Sequence, residues 1–209
     1  MADSRKDDAK PGSGTSNSPA ADSTPDLAHA WQRAISFAAR AHKHQLRKDG
    51  QTPYVAHVFR VALTVQHVFR CYDERALLAA ILHDTIEDTT TDYDDLAESF
   101  GAPVADLVAA LTKNPALPES KRESEYDARL AGADWRAKLV KLADTYDNLI
   151  DAEQLDAPKK KLRSRLEKCQ RAIDIAQSDA AAHPELSRAI ALLRERMTWT
   201  TTSSGITPD

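Results

Sequence analysis

The sequence has little of what staples or anchors a protein. It holds two cysteines, Cys71 and Cys169, in 209 residues, and they share no motif, so neither a disulfide framework nor a cysteine-built zinc site is expected. Both are expected to be reduced, partly buried side chains. No apolar run approaches the roughly 20 residues that a membrane-spanning helix needs. The N-terminal residues include Asp, Lys, Ser and Pro but not the apolar stretch of a secretory signal. No membrane partner is therefore expected, and the expected location is the cytoplasm. A basic excess is missing too, since 28 Lys and Arg stand against 32 Asp and Glu for a net charge of -4. That argues against nucleic acid as the partner. It leaves room for a small anion held by a local basic cluster. Alternating strand patterns between hairpin turns are also absent, which leaves helices.

Hydrophobic residues make up 42% and charged residues 29% of the chain, the balance of a single globular domain able to bury its own core. Residues 1–25 carry almost no large apolar side chain and are rich in Ser, Gly, Pro and Asp. Such a segment cannot offset the entropy of its own ordering, so a disordered tail is expected there. Residues 200–209 have the same character, which puts the domain over 26–199. Within it, Leu27, Trp31, Ala34, Ile35, Ala38 and Ala39 share one face of a first helix that reaches about His44. The loop "RKDGQTP" ends that helix. Further helices are expected over 54–71, 73–84, 93–99, 102–112, 119–130, 133–151, 158–181 and 184–197. The fold class is all-α, a bundle of about eight to ten helices.

The stretch "ILHDTIEDTT" interrupts this pattern. Ala76 to Leu82 is apolar throughout, so that helix is buried on all sides. Its last turn must open onto something polar or strand an imidazole and a carboxylate. A metal ion removes that cost, and imidazole nitrogen combined with carboxylate oxygen suits Mn, Fe or Zn. A lone His-Asp pair is most often just a hydrogen-bonded helix end, so further ligands are needed. His57 in "TPYVAHVFR" and Asp144 in "KLVKLADTYDNLI" are the candidates. On the second of these helices Leu139, Leu142, Ala143, Tyr146, Leu149 and Ile150 form an apolar seam, and Lys141, Asp144 and Asn148 lie opposite. Asp144 and Asn148 are one turn apart and can face the same cavity, the alternative being a simply solvated face. Glu87 and Asp88 follow His83 and Asp84 within one turn. Two carboxylates there can orient and deprotonate a water, or simply favour the dipole of the next helix.

His57, His83-Asp84 and Asp144, in the order H…HD…D, resemble the metal-binding signature of the HD-domain phosphohydrolases. Three longer segments, "RKDGQTPYVAH", "ALLAAILHDTIEDT" and "AKLVKLADTYDNL", resemble motifs of the RelA/SpoT-type alarmone hydrolase domain over roughly residues 30–151. The likeness is to the stand-alone small alarmone hydrolases, because no synthetase or regulatory region accompanies the motifs. The resemblance implies metal-dependent hydrolysis of the 3′-pyrophosphate of (p)ppGpp-like alarmones, giving GDP or GTP and pyrophosphate. It implies one Mn2+ held by His57, His83, Asp84 and Asp144, with Glu87 and Asp88 positioning the attacking water. Arg47 and Lys48 would lie against the guanine base, where an Arg plane stacks on a purine, and Asn148 would contact the sugar.

The chain departs from the family in places. Val58 stands where the family commonly has proline. The segment from Asn114 to Ala133 aligns poorly, and its Lys121, Arg122 and Arg129 are candidates for phosphate contact. The basic run "KKKLRSRLEK" at 159–168 is expected to be a solvated helix face, with reach to the substrate as the alternative. Within enzymes, the alternative is hydrolysis of another nucleotide, either ppApp or a deoxynucleotide 5′-phosphate. A nucleotide-binding sensor without turnover is the alternative of a different class, but it would be expected to lose a ligand or the Glu-Asp pair, and all six positions are occupied. The apolar surface on the last two helices is compatible with a homo-oligomer.

Overall fold

The computed structural model describes residues 29–206, so the tail expected over 1–25 lies outside the described residues. The helices run in the order α1 (Ala30–Ala41), α2 (Val55–Leu63), α3 (Glu74–Leu82), α4 (Thr85–Asp88), α5 (Tyr93–Phe100), α6 (Ala102–Leu111), α7 (Glu119–Ala131), α8 (Trp135–Gln154), α9 (Lys159–Ala176) and α10 (Pro184–Ser204). A π-helical turn, Thr64–Val68, extends α2. Among the described residues the extended pairing is a single bridge, Leu46 with Pro53. The all-α expectation holds.

The core is organised around α3, which packs against α1, α2, α6 and α8. Ala76 and Leu78 to Leu82 are all buried, and Leu78 and Leu82 have no exposed surface. Burying a leucine completely contributes about 1.5–3 kcal/mol, so this helix is a fixed floor. Asp73 sets its start, accepting from the Ala76 amide at 3.0 Å and forking with Arg136 at 2.8 and 2.8 Å. Ala30, Ala34 and Ala38 bury one stripe of α1, and Val58, Val61 and Val65 bury one stripe through α2 and its π turn. Helix α8 is buried almost all round, because α2, α3, α9 and α10 surround it. Gly101 joins α5 to α6 at φ 85°, a conformation that glycine adopts freely.

Several boundaries differ from the sequence expectation, among them the end of α9 at Ala176 rather than 181. The first helix stops at Ala41 rather than about His44, since His44 takes φ 73°. The stretch after His83 re-forms as the short α4, with the Thr85 hydroxyl donating to Leu82 O at 2.7 Å and that of Thr89 to Thr85 O at 2.6 Å. The disordered tail expected from 200 is overturned over 200–206: α10 continues to Ser204, Gly205 takes a left-handed conformation, and Ile206 is buried. Thr200 is held inside by Glu153, which also pairs with Arg196. Both cysteines are free thiols and buried.

Candidate functional site

The floor of the main cleft is where α3 ends. His83 caps α3 and Asp84 begins α4. The two face His57 on α2 and Asp144 on α8. His57 Nε2 lies 3.3 Å from Asp144 Oδ1 and 3.6 Å from Asp84 Oδ2, and His83 Nε2 lies 3.1 Å from Asp84 Oδ2 and 4.0 Å from Asp144 Oδ1. Ligand atoms of His57, His83 and Asp144 all fall within 4.8 Å of one another. Donors about 2.1 Å from a shared ion stand about 3 to 4.2 Å apart, so the cluster has the size of a coordination shell.

Two further features make the donor set suited to an ion. His83 Nδ1 donates to Ala80 O at 2.9 Å, and His57 Nδ1 donates to Asp147 Oδ2 at 2.6 Å. In the neutral ring each bond leaves Nε2 with a free lone pair aimed into the cluster, the arrangement that metal-ligating histidines use. His83 Nε2 is also buried without an aligned hydrogen bond, despite Asp84 at 3.1 Å. A buried nitrogen of that kind is costly unless something occupies it. Burial pulls the His83 pKa down, but the Asp84 carboxylate beside it outweighs this and holds it up at about 9. Burial raises the Asp84 carboxyl, and the His83 charge then drives it below the usual carboxylate range.

Asp144 is anchored from its own helix. Lys141 Nζ donates to Oδ2 at 2.8 Å and Asn148 Nδ2 to Oδ1 at 2.5 Å. Tyr54 closes the opposite side, its hydroxyl donating to Asp84 Oδ2 at 2.6 Å and to Asp88 Oδ2 at 3.1 Å. Glu87 Oε2 accepts from the Lys113 amide at 2.9 Å. Partial burial raises the Glu87 carboxyl, the Lys113 amide opposes the rise, and Asp84 adds to it. Gln45 donates to Asp88 O at 2.6 Å and accepts from His42 Nδ1 at 2.8 Å, which ties α4 to the end of α1.

The other wall of the cleft is rich in cations, with two carboxylates among them: Lys113 and Arg171 pair with Glu123, and Arg171 also with Asp127. Lys113, Lys141, Arg165, Lys168 and Arg171 line it together with Tyr126. The basic run at 159–168 is thus not only a solvated face: Arg165, half-buried, and Lys168, still exposed, line the cleft because α9 packs along α8. Lys121, Arg122 and Arg129 do not line this cleft. Arg122 binds Pro115 O and Leu117 O, and Arg129 binds Ala109 O, Thr112 O and Glu125, so both hold local backbone. Asn148 lines the cleft, whereas Arg47 and Lys48 do not. Arg47 is 8% exposed and folded onto α8, donating to Asp151 Oδ2 at 2.8 Å and Asn148 Oδ1 at 3.2 Å. Lys48 lies outside the cleft, where partial burial and its neighbours Arg165, Lys161, Arg47 and Lys168 lower its pKa.

Sequence reasoning missed Tyr54, Lys113 and Asp147. A tyrosine after Pro53 carries no signal of its own. Lys113 lies in a loop, and Asp147 sits between residues assigned to opposite faces.

The HD-domain family matches residues 34–168. This chain belongs to the HD-domain family. HD domains are metal-dependent, and the His/Asp cluster here has the composition to hold an ion. Relatives within the family include the guanosine-3′,5′-bis(diphosphate) 3′-pyrophosphohydrolase MESH1 of Drosophila melanogaster, 41% identical over 125 residues, which are 59% of this chain and 69% of that protein. The Danio rerio protein of the same name is 41% identical over 118 residues, 56% of this chain and 66% of its own. The matched stretch therefore spans about two thirds of the length of these HD-domain relatives. A solved structure described as a metazoan ortholog of SpoT that hydrolyses ppGpp superposes with a TM-score of 0.68 at 30% identity, covering 80% of this chain and 95% of that one. A Listeria monocytogenes structure, lmo0812, at 23% identity and TM-score 0.56, covers 72% of this chain and 96% of its own, and shares the fold.

Proposed function

We propose that the chain is a metal-dependent 3′-pyrophosphohydrolase of (p)ppGpp-like alarmones, releasing pyrophosphate and GDP or GTP. The observation that carries this reading is the cleft itself: a His/Asp cluster on the floor, a Glu-Asp pair on one side, and on the other five cationic side chains that outnumber the Glu123 and Asp127 carboxylates among them. The named activity of the MESH1 relatives supports it.

In this reading His57, His83, Asp84 and Asp144 hold a single Mn2+. The two carboxylates favour a hard ion over a thiolate-seeking one, and the imidazoles favour a transition metal over Mg2+ or Ca2+. When bound, the ion offsets phosphate charge and acidifies water. Glu87 and Asp88 face the cleft beside the cluster, where they orient the attacking water and accept its proton. The water oxygen joins the phosphorus nearest the ribose, the bond from that phosphorus to O3′ breaks, and the nucleotide keeps a 3′-hydroxyl. Lys113, Lys141, Arg165, Lys168 and Arg171 offset the charge of the pyrophosphate and steer a polyanion into an otherwise acidic chain. Asn148 contacts the nucleotide sugar. Lys48 lies against the base at the outer rim, and Arg47 supports that end by holding Asn148 in place.

The reading takes the substrate to be a nucleotide and the protein to work in the cytoplasm. Among the described residues no helix is long and apolar enough to cross a membrane. The test is turnover of metal-stripped protein on ppGpp and on ppApp, each with and without added Mn2+, following pyrophosphate and orthophosphate separately. Mn2+-dependent release of intact pyrophosphate is expected, with the rate ratio giving the base preference. Release of orthophosphate alone would identify a phosphatase instead.

A further inference from the structure

One buried carboxylate near the cluster has no part in the roles above. Asp147 is 5% exposed and lies one turn after Asp144 on the same side of α8. Its Oδ2 accepts from His57 Nδ1 at 2.6 Å. Arg60 grips it as a fork, Nε to Oδ1 at 2.6 Å and a terminal nitrogen to Oδ2 at 2.9 Å. Arg60 also reaches Asp151 Oδ1 at 3.2 Å, and Asp151 Oδ2 accepts from Arg47 at 2.8 Å. Arg47 continues to Asn148, and Asn148 to Asp144. These contacts form an unbroken chain of side chains from His57 on α2 to Asp144 on α8.

We infer that Asp147, braced by Arg60, is the positioning residue that directs His57 Nε2 at the metal cluster. The inference rests on the metal-hydrolase reading. His57 is 1% exposed, and its ring contacts Tyr54 and His83 edge-on at 5.7 and 5.3 Å. Those contacts limit its tilt but do not select which nitrogen carries the hydrogen. Asp147 makes that selection: a carboxylate at Nδ1 requires N–H there and leaves Nε2 as the ligand. Arg60 matches the carboxylate's charge in a bidentate pair, the geometry in which arginine holds a carboxylate most rigidly. Asp147 therefore serves His57 by direction as well as by charge. The remainder of the chain, through Asp151 and Arg47, joins the same brace to Asn148.

The test measures Mn2+ affinity of the metal-stripped full chain from the paramagnetic resonance signal of free Mn2+. It compares the natural protein with His57→Ala, Asp147→Asn, Asp147→Ala and Arg60→Gln, with helical circular dichroism recorded for each. Removing a histidine's outer partner typically weakens metal binding roughly 10- to 100-fold, and that loss is expected for Asp147→Ala. Asp147→Asn, which keeps an acceptor oxygen, should recover part of it, an ordering that a merely structural ion pair would not produce. Arg60→Gln should show the smallest loss. Natural affinity in Asp147→Ala, alongside a clear loss in His57→Ala, would overturn the positioning role and leave the metal site standing. No Mn2+ binding by the natural protein would overturn both. If Asp147→Ala does not fold, Asp147→Asn decides: weakened binding supports the role, and unchanged binding overturns it.

Discussion

Along α8 three carboxylates each meet a cation: Asp144 meets Lys141 at 2.8 Å, Asp147 meets Arg60 at 2.6 Å and Asp151 meets Arg47 at 2.8 Å. On α4 the partners are neutral. Glu87 accepts from a backbone amide and Asp88 from the Tyr54 hydroxyl. A carboxylate paired with a fixed cation is held ionised and in place, and burial raises Asp144 and Asp147 less than their partners lower them. One with neutral partners is free to take up a proton, and Glu87 shifts upward. The same residue type therefore does two jobs within one cleft. In the proposed function Asp144 on α8 is a fixed ligand, Asp147 on the same helix braces His57, and α4 carries the groups that move protons.

The largest effect that would sharpen this contrast comes from the floor both helices share. His83→Ala removes a buried donor with no neighbour to replace it, so Mn2+ binding and turnover should both vanish. Calorimetric titration of the variant with Mn2+ checks this, and retained binding would break the assignment of the floor. A smaller effect separates Glu87 from its neighbours. Its pKa is raised, so as pH falls it gains a proton earlier than an ordinary glutamate, whose value is about 4.3, and the rate falls with it. In Glu87→Gln that acid limb should disappear from the pH profile of kcat/KM. Smallest are Arg165→Ala and Lys168→Ala on the basic wall, each expected to raise KM several-fold with kcat little changed. Steady-state kinetics at two salt concentrations checks this, since screening should shrink the difference at high salt.

Part of this was legible in the sequence for a simple reason. A helix apolar from Ala76 to Leu82 cannot end in His83-Asp84 without a polar destination, so the floor announces itself. Asp144 and Asn148 follow from their spacing of one turn. Asp147 does not, because the sequence reads as a single apolar seam with one polar face, whereas α8 is buried almost all round and hides a charge among its packed residues. Arg165 and Lys168 were hidden for a different reason: which side of a basic helix meets solvent depends on how α9 docks on α8, a tertiary fact. Arg47 was placed on the base by resemblance, and its contacts with Asn148 and Asp151 span 101 and 104 residues of sequence. The end of α10 was missed because Thr and Ser near a terminus look solvated until Glu153 is seen to hold Thr200.

The contrast between holding and acting is tested most directly by one protein, the double variant Glu87→Gln with Asp88→Asn, measured for Mn2+ affinity and for pyrophosphate release from ppGpp. The account requires Mn2+ binding close to that of the natural protein together with a turnover loss of about 10²–10⁴-fold, the usual contribution of a positioned general base. A double variant that binds Mn2+ and keeps full turnover would contradict it, because the proton-moving groups would then lie elsewhere in the cleft.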